Sequence, residues 1–118
     1  MNDADLSMGA NCQVFAYSLL RFFGRVVPDF RSSNLWDDTM HTQLVTDALA
    51  PLDLLLFNKT KDPYGAHVAV YTGNEQAIHL CQEIGKPALW TLEEFQRRPR
   101  YAVLIGAKRV TPDNIQPS

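Results

Sequence analysis

Apolar residues at 12, 15, 16, 19, 20, 22 and 23 recur at helical spacing, and the pattern predicts an amphipathic helix from about Cys12 to Phe23. Asn11 is an acceptable N-cap for it, and Gly24 is a stop just past its end. The stretch "VVPDFRSSNLWDDTMHTQLVTDALAP" is mixed. Within it Ser33 caps a short helix through Trp36, and a second short turn covers 42–49. The second half changes period. "LDLLLF" (52–57) is a continuous apolar run, as expected of a strand covered on both faces. "HVAVYT" (67–72) and "QAIHLC" (76–81) alternate and flank the turn signal Gly73-Asn74. Thr91 and Glu94 stand at capping-box spacing and open a short helix. "YAVLIGAKRV" (101–110) then closes the sheet. Helices first, then an antiparallel meander with one inserted helix, is an α+β pattern.

Length adds that the 118 residues form one domain, 1–118. Residues 1–10 and 111–118 are expected to be loosely ordered ends. The net charge of −2, with no basic patch, argues against nucleic acid as a partner. The longest apolar runs are too short to span a bilayer, so no membrane partner is expected. "MNDADLSMGA" has no apolar signal region. A cytoplasmic location follows, or an extracellular or periplasmic one if the chain was trimmed before Met1. Two cysteines do not make a disulfide scaffold. The oligomeric state is not legible.

Cys12 is where chemistry enters. At a helix N-terminus, unpaired N–H groups and the helix dipole favour a thiolate. A thiol there, with a histidine near, drops from about 8.5 towards roughly 4–7. The same N–H groups would hold an oxyanion. Against this stands a plain alternative: Cys12 shares a face with Ala16, Leu19 and Phe23, and a free cysteine on an apolar face is usually inert packing. His67 and His79 add weight to the catalytic alternative. Side chains alternate along a strand. A two-residue loop at Gly73-Asn74 sets Val68 opposite His79 and separates the rings. A three-residue loop, 72–74, pairs Tyr71 with Glu75 and sets His67 opposite His79. In that register Cys12 is a nucleophile, His67 its base and His79 the group that orients the base.

"NCQVFAYSLLRFFG", "DLLLF" and "HVAVYTGNEQAIHL" together resemble the three blocks of the NlpC/P60 cysteine peptidases, over about residues 9–82. In that family an Asp-Cys-Ser-Gly segment opens a helix. A "GDLLFF"-like strand follows, then a strand pair reading His-Val-Gly-Ile-Tyr-x-Gly-Asn…Ile-His. The resemblance implies a papain-like α+β fold with the cysteine helix packed on an antiparallel sheet. It implies Cys12, His67 and His79 as the catalytic set, with no cofactor and no metal. The implied activity is a hydrolase, a thiol protease cutting small bacterial peptidoglycan peptides; related enzymes are amidases or acyltransferases on other substrates. It also brings Asn11, Gln13, Arg31, Ser32 and Ser33 to the substrate cleft. The chain departs from the pattern at Asn11 and Gln13, where the family has Asp and Ser, and this removes a charge partner for a substrate ammonium. Leu52 stands where glycine is usual. The family's upstream Tyr-x-x-Gly-Gly segment is missing, and Tyr64 is the candidate to replace its tyrosine.

Two rivals remain. Cys12, His67, His79 and Cys81 are a donor set that zinc accepts. A binding module that kept the fold and lost catalysis fits Asn11 and Gln13. Cys81 reads as a small buried residue, His41 as solvated, Asp37 and Asp38 as exposed charges, and Trp36 and Trp90 as core or cleft wall.

Overall fold

The computed structural model describes residues 4–116 except Gln82, with side chains described from Cys12 onward. Helix α1 runs Ala4–Phe22. It buries Cys12, Ala16 and Leu20, one residue per turn, together with Tyr17. It ends where expected. Gly24 has φ +81°, Arg25 N–H donates to Leu20 O and Gly24 N–H to Arg21 O, both at 2.9 Å. That bond pair is the Schellman closure, which puts glycine in the left-handed position.

The start of the helix differs from the expectation. Asn11 lies within α1 rather than at its cap, and Cys12 sits roughly two turns inside. Free N–H groups of a helix end therefore do not surround the sulfur. Of the end segments, residues 4–10 belong to α1 and Pro112–Asn114 forms a 3-10 turn, while residues 1–3, 117 and 118 lie outside the described residues.

Helix α2 is Ser32–Asp37, with Arg31 rather than Ser33 in the cap position. Thr42–Leu44 is a strand, β1, where a short turn over 42–49 was expected. The remaining strands are β2 Leu54–Asn58, β3 His67–Gly73, β4 Gln76–Cys81, β5 Lys86–Thr91 and β6 Val103–Val110. Helix α3, Leu92–Gln96, carries the full Thr91/Glu94 capping box. A 3-10 turn, Pro99–Tyr101, leads into β6.

The architecture is α+β, with one antiparallel six-stranded sheet in the order β1-β6-β2-β3-β4-β5. The meander is real from β2 to β5. The last strand does not close it at the far edge but returns beside β2, inside the sheet. Leu54 to Phe57 of β2 are all fully buried, because both faces of this central strand are covered. Leu54, Leu56, Val68 and Val70 pack under α1. Leu55, Phe57, Ala69, Tyr71 and Ala77 pack on the opposite face with Phe95 and Tyr101.

The β3–β4 register corrects both turn alternatives. Val70 pairs with Ile78, Tyr71 with Ala77 and Gly73 with Gln76, with a bulge at Thr72. The turn residues are Asn74 (φ 55°) and Glu75 (φ 61°). Two left-handed central residues mark a type I′ turn, whose twist matches the strands it joins. Counting back, His79 lies across from Ala69, not from His67. The slip is two residues, an even number, so both rings keep one face and meet diagonally.

Candidate active site

His67 opens β3 and His79 lies near the end of β4. His67 Nε2 and His79 Nδ1 are 2.8 Å apart, and the rings are perpendicular, with an interplanar angle of 86°. Around them Tyr101 lies against His67 (4.6 Å between centroids), while Trp90 and Phe95 lie against His79 (4.2 and 4.6 Å). This aromatic box fixes both rings. His67 Nδ1 and His79 Nε2 are buried without a hydrogen-bond partner among the described residues. Burial, then the other imidazole, then Arg100 push His67 down to about 3. Burial, then Arg98, push His79 down to about 4. Both rings are therefore neutral at physiological pH, and one proton is shared across the 2.8 Å bond.

Cys12 comes from the other layer. Its thiol packs among the residues under α1, and strand alternation carries both imidazoles on the α3 face. Cys12 and the imidazoles thus belong to opposite faces of the sheet, and what they share is a cleft. Cys12 and His67 line it, about 580 Å³ in volume, with Asn58, Ala66 and Tyr101. Lys59, Glu83, Arg98 and Arg100 line it as well. Cys12 is only 1% exposed. Burial pushes its thiol up, against the pull of the Val68 and Gln13 amides and its own. The expected downward shift is thus reversed: away from a helix terminus, desolvation wins over the backbone dipoles. The resting pair is a neutral thiol and a neutral imidazole, not an ion pair.

The other residues brought in by the resemblance lie elsewhere. Asn11 falls outside the residues whose side chains are described. The Gln13 amide, oriented to satisfy both ends, donates to Phe30 O and accepts from Ser32 N, each at 3.1 Å. Gln13 and Arg31 line a separate hollow of about 190 Å³ with Tyr17 and Asp29. Ser32 is buried; its hydroxyl donates to Pro63 O (2.7 Å) and accepts from Ala66 N (3.0 Å). It pins the loop that delivers His67 and does not line the cleft. Ser33 does not line the cleft either. Tyr64 is 75% exposed and outside the cleft.

The tyrosine that does line the cleft is Tyr101, which sequence reasoning passed over as the start of a strand. Lys59, Arg98 and Arg100 were also missed, although the run Arg97-Arg98-Pro99-Arg100 was a visible signal. Asp38 is not a solvated charge: its carboxylate accepts from the Thr42 amide and hydroxyl and from the Met40 and His41 amides. Burial works against that charge, but the Thr42 hydroxyl and these amides outweigh it and hold Asp38 down to about 2.

Among the described residues, no group of three or more His, Cys, Asp or Glu is arranged to hold a metal ion. Neither Cys12 nor Cys81 is in a disulfide. No described helix is long and apolar enough to cross a membrane. Compared with family models and with curated proteins, the chain matches none.

Proposed function

We propose that the chain is a small cysteine hydrolase of the papain-like NlpC/P60 type. In this proposal Cys12 is the nucleophile, His67 the general base and His79 the residue that orients it. The observation that carries the proposal is the histidine pair: Nε2 of His67 is tied to His79 at 2.8 Å, while Nδ1 is left unpaired on the ring that lines a cleft with Cys12. With the His67 Nε2–H donated to His79 Nδ1, Nδ1 carries the free lone pair. It takes the thiol proton as sulfur attacks a carbonyl carbon and the C–S bond forms. It then returns that proton to the departing amine or alcohol, leaving an acyl-enzyme. Water, deprotonated by the same nitrogen, releases the acid and restores the thiol.

The substrate class comes from the resemblance alone: small amides, among them cell-wall-derived peptides, with acyl transfer to another acceptor as the variant outcome. A panel of γ-D-glutamyl peptides and simple esters, assayed with wild type and Cys12→Ala, tests the proposal. Turnover is expected in the wild type and is lost in the variant. Equal rates in both proteins refute it.

One observation favours the second reading, a binding module without catalysis: Cys12 is 1% exposed and its thiol is pushed up. Labelling with a small electrophile separates the two. An inert thiol reacts only as pH approaches its own pKa. A thiol served by His67 reacts at pH 6 to 7, and loses that reactivity in His67→Ala.

A further inference from the structure

Two neutral imidazoles hold two protons, and the histidine pair can place them in two ways. One proton lies in the 2.8 Å bond between His67 Nε2 and His79 Nδ1. The other lies on an outer nitrogen, His67 Nδ1 or His79 Nε2, both of them buried without a hydrogen-bond partner among the described residues. With the proton on His79 Nε2, both rings are Nε2–H tautomers and His67 Nδ1 keeps its lone pair. With the proton on His67 Nδ1, both rings are Nδ1–H tautomers, and His67 has no lone pair left to take a thiol proton. The hydrolase proposed above works only in the first state, and the two rings alone do not choose between them.

Their surroundings do. His67 lines the cleft, where a water or a substrate can meet a lone pair or an N–H equally well. His79 is 0% exposed, and the rings closest against it are Trp90, at 4.2 Å and 60°, and Phe95, at 4.6 Å and 59°. An aromatic face is electron-rich, so it attracts an N–H and repels a lone pair. Arg98 pulls the other way, because a cation favours a lone pair. Its guanidinium is spent on the Trp90 face at 3.8 Å and on Glu94 O at 2.8 Å, and the Glu83 carboxylate at 3.8 Å offsets its field.

We propose that Trp90 is a positioning residue: its ring holds the proton on His79 Nε2 and thereby leaves Nδ1 of His67 bare for the thiol. This rests on the hydrolase proposal and adds to it the group that selects the working tautomer. Phe95 contributes to the same wall, but it is fully buried and stacked on Phe57 at 4.4 Å. Trp90 is only half-buried, on the edge strand β5, and can be changed without opening the core.

The test is a long-range proton–nitrogen correlation spectrum of nitrogen-labelled histidine at pH 7, where both rings are neutral. His41→Gln identifies the signals of the third histidine. The wild type is expected to show both His67 and His79 as Nε2–H tautomers. Trp90→Phe, which keeps an aromatic face, is expected to retain that pattern. Trp90→Leu is expected to shift both rings towards Nδ1–H and to lower kcat on p-nitrophenyl acetate by about two- to fivefold, with KM unchanged. Nδ1–H tautomers in the wild type, or an unchanged pattern in Trp90→Leu, overturns the assignment. The spectrum needs no substrate, so absence of Cys12-dependent turnover counts against the hydrolase, while the tautomer assignment stands or falls on the spectrum.

Discussion

His67 keeps its two nitrogens in different surroundings, one bonded to His79 and one left bare on a cleft wall. Its low pKa makes it a weak base that is always available. The acid limb of kcat/KM is therefore expected far below the usual histidine value near 6.5. Rate should be flat from about pH 5 to 7 and rise towards alkaline pH as the thiol ionises. A limb centred near 6.5 would show that the rings titrate as solvated histidines. His79 is held by Trp90 and Phe95, and in the proposed mechanism its Nδ1 accepts from His67 Nε2 and so fixes the His67 tautomer. His79→Asn, which retains an acceptor near that place, should lower kcat by roughly tenfold, and His79→Ala by about a hundredfold or more. Equal losses in the two variants would deny His79 an orienting role. At this scale the sequence was informative about identity and less so about state. The residue types and spacing singled out three side chains, of which the structure joins His67 to His79 and sets Cys12 in the same cleft as His67. Whether Cys12 is ionised depended on where its helix starts, and the weakly patterned stretch before Asn11 did not disclose that.

The elements separate into those with strong local signals and those made by their neighbours. The Thr91/Glu94 cap, the Gly24 stop and the bounds of β4 were legible, because each is dictated by side chains inside the segment. β5 was missed because it is an edge strand containing Pro87, whose missing N–H is tolerated only at an edge. β1 is three residues long and exists through its pairing with β6. The hairpin register turned on a bulge at Thr72 that no single residue announces. Two positions with left-handed backbone give opposite predictions. Gly24→Ala puts a methyl 2.6 Å from the Gln116 carbonyl at φ +81°, and should cost about 2 kcal/mol or more. Glu75→Gly relieves a left-handed residue (φ 61°) in an exposed turn, and should add about 0.5–1 kcal/mol, raising Tm by roughly 2–4 °C. Thermal melts of the two variants check both signs; a stabilised Gly24→Ala would contradict the helix closure described here.

For the molecule as a whole, the α+β arrangement followed from the order of periodic segments, whereas the return of β6 to a place inside the sheet, between β1 and β2, did not. That placement depends on long-range pairing with β1 and β2. The same burial that neutralises the histidines makes stability depend on pH. The unfolded chain protonates both rings below about pH 6.5, while the folded chain keeps them neutral down to about 3 and 4. The unfolded state binds more protons in that window, so stability is fully present above pH 6.5 and is lost as pH falls. Tm is expected to drop by about 10–20 °C between pH 7 and 4.5. Below pH 4 protonation of Asp38, held down to about 2, removes a further increment. A Tm unchanged over the upper interval would mean that the rings are not buried as described. The most direct test of the central claim, that sulfur and imidazole act together across the cleft, is intact-protein mass spectrometry after brief exposure to a simple p-nitrophenyl ester. The account predicts one acyl group on Cys12 in the wild type, none in Cys12→Ala, and acylation at least a hundredfold slower in His67→Ala, by about the weight of a lost general base. Acylation of Cys12 at the same rate without His67, or no acylation of Cys12 at all, would contradict it.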